Sequence, residues 1–332
     1  MPRSPARVLP VLALGGLVLA GCAPADGSGT APDDGSVEVL ASFYPLQYVA
    51  EQVGGDLVTV SSLTPPGAEP HDVELSPSQV RGVSDTDLVL YLSGFQGAVD
   101  EAVDARRPAH LVDAADLADL VGAGDEPAAD EHADEHADEH SDEHSDEHSD
   151  EHSADGGHDH GTLDPHFWLD PQRLAAVAGP VADALAEIDP DNADAYTANA
   201  GRLVADLTAL DEAFTDGLAD CERRVVVTSH EAFGYLGLAY DLEQVGMSGL
   251  DPEAEPSPAR LRDIGDVVRH EGVTTIYTET LVNPKVAQTL AADLGVGTAV
   301  LDPLESQTDE AADYAAVMEQ NLAALRAGLG CA

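Results

Sequence analysis

The sequence predicts an α/β fold in which two similar lobes of (βα)4 type are joined by a long rigid helix. Three observations support this prediction. Short apolar segments alternate with helical segments from residue 37 to the end of the chain, a pattern typical of parallel sheets covered by helices. The alternation occurs in two blocks, each with four candidate strands. A long amphipathic segment, 192–220, lies between the blocks.

The first block, residues 37–124, is expected to form an N-terminal lobe that residues 161–191 complete. Its aliphatic runs are bounded by turn-forming residues, as is usual for short buried strands. The predicted strands are 37–42, 57–63, 88–92 and 109–113. The predicted helices lie near 46–53, 77–82 and 97–105.

The second block, residues 221–332, repeats this organisation and is expected to form a C-terminal lobe. Its predicted strands are 224–229, 244–247, 274–278 and 298–301. Its predicted helices lie near 231–240, 258–271, 284–294 and 309–329. Two blocks with the same number of strands indicate two lobes of the same kind.

The segment between the blocks carries one apolar stripe at helical spacing. A helix of about 28 residues would be about 42 Å long, which suits a stiff connector between lobes. An ordinary core helix would carry the same stripe. The stripe consists of Tyr196, Leu203, Leu207, Leu210, Phe214 and Leu218.

The N-terminus has the features of an export signal, predicted to span residues 1–21. Arg3 and Arg7 precede an apolar run at 8–20, which is too short to span a bilayer and fits a signal peptide. The run ends in Leu-Ala-Gly-Cys at 19–22, which resembles a bacterial lipobox. We therefore expect Cys22 to be lipidated and 22–36 to be a flexible tether. The alternative is an ordinary signal peptide followed by an unrelated cysteine.

The remaining cysteines, Cys221 and Cys331, form an even pair in a chain predicted to enter an oxidising compartment. A disulfide between them would attach the C-terminus to the start of the second lobe. Two free thiols are the alternative.

The composition is strongly acidic, with 63 Asp and Glu residues against 14 Lys and Arg residues and a net charge of −49. This charge argues against nucleic-acid partners, because a phosphate backbone binds to a basic surface. It argues in the same way against an anionic membrane surface. Small ligands and cations remain as the expected partners.

The segment 125–160 contains six consecutive copies of Asp-Glu-His-(Ala/Ser) and has no residue suited to an apolar core. Such a composition predicts disorder without a ligand. Imidazoles spaced every four residues can share a metal ion on one helical face, so we expect an auxiliary, weak Zn²⁺-binding tract. A solvated acidic spacer is the alternative. The histidines of the tract are His132, His136, His140, His144, His148, His152, His158 and His160.

Three further histidines and one aspartate occupy positions suited to a tighter site. His230 and Asp302 follow predicted strands, and His71 and His166 lie in proline-containing segments. Ligand sites of open α/β sheets lie beyond the carboxyl ends of strands, and Zn²⁺ prefers tetrahedral N and O ligands. The sequence therefore predicts a metal site formed by these four residues.

The segments around these residues carry a family resemblance. They read AEPHD at 68–72, DPHFWLDP at 164–171, TSHEAF at 228–233 and LDPL at 301–304. As a set they resemble the zinc/manganese solute-binding lipoproteins of bacterial ABC transporters, over essentially the whole chain after Cys22.

The resemblance implies a metal site in the cleft between the lobes. It assigns His71 and His166 to the first lobe and His230 and Asp302 to the second. A histidine at the position of His230 goes with the zinc-type members of the family, whereas a glutamate there goes with the manganese-type members. Water or another acid of the loop is the alternative to Asp302. Glu279 falls where the family has an acidic residue, which either orients a ligand histidine or caps a helix.

The implied function is that of an extracytoplasmic receptor, lipid-anchored to the outer face of the cell membrane and monomeric. It would bind Zn²⁺ with high affinity and deliver it to the permease and ATPase of an ABC transporter. A manganese-binding protein of the same family, a surface adhesin and a zinc hydrolase are the alternatives. The sequence lacks an HExxH motif, which argues against the hydrolase, so we expect no enzymatic activity.

Overall fold

Two four-stranded parallel sheets form the framework of the protein. A computed structural model describes residues 36–122, 163–309 and 311–332. The predicted signal peptide, Cys22, the tether as far as residue 35 and the histidine-rich tract at 125–160 lie outside the described residues. No helix in the described part of the chain has both the length and the apolar character needed to cross a membrane.

The first sheet has the strand order β2-β1-β3-β4, and all of its strands are parallel. The strands are β1 (Val37–Ala41), β2 (Val58–Ser62), β3 (Leu88–Tyr91) and β4 (Leu111–Asp113). The central strands β1 and β3 are almost continuously apolar and buried, as expected for strands with helices on both faces. The helices are α1 (Tyr44–Gly54), α2 (Pro77–Asp85), α3 (Gly97–Arg106) and α4 (Pro171–Ile188).

Local sequence signals explain where two of these helices begin. Ser76 and Gln79 form a reciprocal capping box at the start of α2, which satisfies amide groups that have no partner within the helix. At the start of α4 the Asp170 side chain accepts a hydrogen bond from the Gln172 amide. In both helices a proline occupies the first helical position, where its missing N–H has no cost.

Helix α4 is an element that the sequence prediction lacks. Its buried residues include Leu174, Val177, Val181 and Leu185, which follow helical spacing. Pro180 lies inside the helix, and an internal proline is normally a sign that a helix ends. The burial of the apolar face against the rest of the lobe outweighs this local penalty.

The long helix α5 (Ala193–Leu218) has 26 residues, close to the predicted 192–220. All six residues of the predicted stripe are buried. The helix packs along α4 and also contacts α1. It is therefore a core helix of the first lobe as well as the connection to the second.

The second sheet repeats the topology of the first, with the order β6-β5-β7-β8 and only parallel pairs. This confirms the prediction of two similar α/β lobes. The strands are β5 (Val225–Thr228), β6 (Glu243–Gly246), β7 (Thr275–Thr278) and β8 (Gly297–Val300). The helices are α6 (Gly234–Tyr240), α7 (Pro258–His270), α8 (Lys285–Leu294) and α9 (Tyr314–Leu329).

Both sheets have a point at which the strand order reverses. In the second sheet it lies between β5 and β7, which pair through Val227 and Ile276. Side chains that follow these two strands emerge next to each other at the carboxyl edge of the sheet, where open α/β sheets bind ligands.

A disulfide joins Cys221 to Cys331, 110 residues apart in the sequence, and confirms the predicted pairing. It links the segment between α5 and β5 to the segment that follows α9. The bond therefore closes a loop that contains the whole second sheet.

We expect the double variant Cys221→Ser/Cys331→Ser to be less stable by about 4–5 kcal/mol, because a loop of about 100 residues is no longer closed in the unfolded chain. Urea unfolding of the oxidised wild type and the variant measures the difference. Equal free energies of unfolding would contradict the expectation. A wild-type sample treated with a reductant provides a control that leaves the sequence unchanged.

Candidate metal centre

Three histidines and one glutamate bring their side chains together between the two sheets. His71 lies in the loop after β2, and His166 precedes a short 3-10 turn at Phe167–Leu169. His230 lies just after β5, and Glu305 lies in the loop after β8. One donor atom from each of the four residues lies within 4.8 Å of all the others. His166, His230 and Glu305 are buried, and only His71 is partly exposed.

Four distances within this group are close to those of a tetrahedral metal site. Oε1 of Glu305 lies 3.2 Å from Nε2 of His71 and 3.1 Å from Nε2 of His166. It lies 3.2 Å from Nε2 of His230, and the Nε2 atoms of His71 and His166 are 3.3 Å apart. Bonds of about 2.0–2.1 Å to Zn²⁺ give a tetrahedron with edges of about 3.3–3.4 Å. Four of the six distances among the donor atoms are thus close to those of a zinc coordination sphere, and the other two are at most 4.8 Å.

Two buried polar atoms of the group have no hydrogen-bond partner among the described residues. They are Nε2 of His230 and Oε2 of Glu305. A buried polar atom without a partner is costly in a folded protein. A metal ion at the centre of the group would satisfy the nitrogen, so the residues present fit a bound cation.

Two carboxylates hold the buried imidazoles by their other ring nitrogen. Asp164 Oδ1 lies 2.7 Å from Nδ1 of His166 and also accepts the His166 backbone amide. Glu279 follows β7, the strand beside β5; its Oε2 lies 2.5 Å from Nδ1 of His230 and its Oε1 accepts the His230 amide. An Nδ1–H bonded to a carboxylate leaves the Nε2 lone pair facing the centre of the group. Asp164 is a residue that the sequence prediction omits, although it lies only two positions before His166.

Burial and charge act in opposite directions on these groups. Burial lowers the pKa of His71. Burial also acts to lower the pKa of His230, but its contacts with Glu279 and Glu305 prevail and raise that pKa to about 10. The pKa of His166 is likewise raised, because Asp164 and Glu305 outweigh the effect of burial. Burial acts to raise the pKa of Glu305, yet its close contacts with the three histidines hold that pKa well below the ordinary value.

Aromatic rings cover one side of the group. The Phe95 ring packs edge-on against His71, with the ring centres 4.8 Å apart. The fully buried Trp168 ring lies 5.2 Å from His166. These rings limit the access of water, which strengthens electrostatic interactions inside the site.

Asp302, the predicted carboxylate of the site, does not belong to this group. Its Oδ2 accepts a hydrogen bond from the Thr280 hydroxyl, and its Oδ1 accepts one from the Leu304 amide. The carboxylate that meets the histidines belongs to Glu305, which replaces Asp302 in the predicted set. The physical reason is the turn at Leu304, whose φ of 58° redirects the chain and brings the next side chain to the histidines.

Fold and site together define a two-lobed α/β protein with a buried set of donor atoms, suited to one metal ion, between its lobes. The chain belongs to the family described as zinc-uptake complex component A, periplasmic, whose model matches residues 39–328.

Named relatives support this assignment. The chain is 33% identical over 301 residues to the zinc-binding lipoprotein AdcA of Streptococcus pneumoniae. The matched region covers 88% of this chain but only 56% of AdcA. It is 33% identical to the high-affinity zinc uptake system protein ZnuA of Bacillus subtilis, with 94% of each chain covered. The crystal structure of the Zn(II)-bound ZnuA-like domain of S. pneumoniae AdcA superposes with a TM-score of 0.67 at 31% identity, covering 89% of this chain and 99% of that domain. The chain thus spans little more than half the length of the AdcA relatives.

Proposed function

We propose that this protein is an extracytoplasmic receptor that binds one Zn²⁺ ion tightly through His71, His166, His230 and Glu305. The observation that carries the proposal is that three imidazole nitrogens and one carboxylate oxygen lie within 4.8 Å of one another in a largely buried group. The names of the relatives AdcA and ZnuA, which are zinc-binding and zinc-uptake proteins, support zinc as the cargo.

The donor set favours Zn²⁺ over Mn²⁺. Imidazole suits zinc, whereas manganese prefers a shell of harder oxygen ligands and higher coordination numbers. Three of the four donor atoms here are nitrogens. Asp164 and Glu279 would increase the affinity further, because each fixes the ring orientation of one histidine.

The same geometry favours binding over catalysis. Catalytic zinc sites normally have three protein ligands and keep a position open for water or substrate. Here the protein supplies four donor atoms, which would close a tetrahedral shell. A zinc ion held in this way is cargo, and the matching role is transport.

The receptor would also need a membrane anchor, a supply of zinc and a transporter that accepts the ion. Cys22 would carry a lipid that anchors a monomeric receptor to the outer face of the membrane. The tract at 125–160 would bind additional zinc weakly. The permease and ATPase of an ABC transporter would accept the ion, a role supported by membership of the zinc-uptake family. The proposed domain boundaries remain those given by the sequence.

Elemental analysis of the purified protein, followed by competitive titration with a zinc chelator, tests the proposal. We expect one Zn²⁺ that resists the competitor, additional zinc that does not, and displacement of the tight ion by Mn²⁺ only at a large excess. Absence of a tightly held zinc ion, or a preference for Mn²⁺, would refute the proposal.

Zinc binding should release protons, because zinc binds only the deprotonated nitrogens. The pKa of His230 is raised to about 10 in the metal-free protein, and the pKa of His166 is raised as well, so zinc must displace at least the proton of His230. We therefore expect release of at least one proton per zinc at pH 7 and an apparent affinity that falls as the pH is lowered. Calorimetry in buffers of different ionisation enthalpy counts the protons; a binding enthalpy that is independent of the buffer would contradict this.

A further inference from the structure

The loop that carries Glu305, residues 302–306, is held at its first residue by a buried asparagine of α9. The Asn321 side chain accepts a hydrogen bond from the Asp302 amide through Oδ1, at 2.8 Å, and its Nδ2 donates to the Asp302 carbonyl, at 2.7 Å. Asn321 is only 2% exposed. A single side chain thus binds both polar groups of the Asp302 backbone and fixes the orientation of the chain as it leaves β8.

Asp302 passes this constraint to the centre of the loop. Its carboxylate accepts the Leu304 amide at 2.8 Å and the Thr280 hydroxyl at 3.0 Å. Leu304 has a φ of 58°, a left-handed conformation that is uncommon for a residue with a branched, bulky side chain. Such a conformation persists only where the surroundings fix it, and here the fixed residue directly precedes Glu305.

Contacts from the first lobe hold the loop on either side of Glu305. The Trp168 indole donates a hydrogen bond to the Pro303 carbonyl at 2.7 Å, and the Gly67 amide donates to the Ser306 hydroxyl at 2.7 Å. The Trp168 contact comes from the segment that follows His166, and the Gly67 contact from the loop that carries His71. The loop is therefore fixed relative to two of the three histidines.

We propose that Asn321 is a positioning residue that sets the metal selectivity of the site by holding Glu305 in place. This inference rests on the proposed zinc-binding function. With the loop fixed, Oε1 of Glu305 stays 3.1–3.2 Å from the three nitrogens, so that four donor atoms can surround one tetrahedral ion. With the loop released, Glu305 can withdraw or bind through both oxygens, and water can enter. Five- or six-coordinate ions such as Mn²⁺ then lose less affinity than Zn²⁺ does.

The test compares Asn321→Ala with Asn199→Ala. Both asparagines lie on helices, and the side chain of each donates a hydrogen bond to a backbone carbonyl of another segment. The distance is 2.7 Å for Asn321 and 2.8 Å for Asn199. Asn199 differs because it bonds to Val53, at the end of α1 and outside the metal group. We expect Asn321→Ala to weaken zinc binding by about 10–100-fold, as for other residues that orient metal ligands, and to narrow the preference for zinc over manganese. We expect Asn199→Ala to do neither.

Co²⁺ substitution reports the geometry directly, because tetrahedral Co²⁺ absorbs visible light strongly and five- or six-coordinate Co²⁺ weakly. The bands should be strong in the wild type and in Asn199→Ala, and weak in Asn321→Ala. A folded Asn321→Ala protein with wild-type bands would overturn the inference, whether or not its zinc affinity had changed.

If Asn321→Ala does not fold, Asn321→Leu decides by the same spectrum, because leucine fills the volume that alanine leaves empty. This change still removes both hydrogen bonds to the Asp302 backbone, so weakened bands support the inference and unchanged bands overturn it. Failure of the proposed function is a separate result, since it would appear as a wild-type protein that retains no zinc against the competing chelator.

Discussion

Replacement of His230 by alanine is expected to abolish tight zinc binding. His230 is fully buried and supplies an Nε2 atom that has no hydrogen-bond partner in the group. Structural zinc sites with four ligands contribute about 10–16 kcal/mol, so one ligand accounts for roughly 10²–10³-fold in affinity. The loss should be at the upper end of this range, because the variant also leaves Glu279 buried without its partner. The same substitution at His71 or His166 should weaken binding by a comparable factor.

His270→Ala is the matched control for this experiment. His270 lies at the end of α7, is exposed, and contacts Glu271. Competitive titration should give the wild-type zinc affinity for this variant. A His230→Ala protein that retains the wild-type affinity would remove His230 from the proposed site.

The second large effect is expected at Glu305, and the neighbouring acid of the same loop provides its control. Glu305→Gln keeps the shape of the side chain but removes its charge, so zinc affinity should fall by roughly 10²-fold. Asp302→Asn should change the affinity by less than about threefold, because an amide oxygen can still accept the Leu304 amide and the Thr280 hydroxyl can rotate to accept a hydrogen bond. Chelator competition on both variants measures the two effects.

These two variants also differ in the protons that zinc releases. Close contact with the charged Glu305 helps to raise the pKa values of His166 and His230. Glu305→Gln should therefore release fewer protons on binding zinc than the wild type, whereas Asp302→Asn should release the same number. If Asp302→Asn lowered the zinc affinity or the number of released protons more than Glu305→Gln does, Asp302 would be the carboxylate of the site after all.

The elements of the fold could be predicted because their signals are local. Strands such as Val225–Thr228 are short aliphatic runs, and helices such as Pro258–His270 begin with a capping serine and a proline. Helix α4 escaped prediction because its local signal is contradictory. Pro180 interrupts a pattern that only the packing of the whole lobe makes favourable.

The histidines of the site could be predicted for a related reason. His230 follows directly after a buried strand, and strand ends are where such sheets bind ligands. The choice of carboxylate depends instead on one backbone angle, at Leu304. The backbone of the same loop is held at Asp302 by Asn321, nineteen residues away in the sequence, so no pattern near the loop reveals which acid faces the histidines.

The distances in sequence between the donor residues have a consequence for the order of events during folding. His71 and His166 are 95 residues apart, and His71 and Glu305 are 234 residues apart. Closing loops of this size early would cost considerable chain entropy, so the site exists only once both sheets and the C-terminal helix are in place. A chain that has not finished folding would then lack the tight zinc site. The ion should act as a late clamp on the native state, raising the melting temperature in proportion to the logarithm of the free zinc concentration above the dissociation constant.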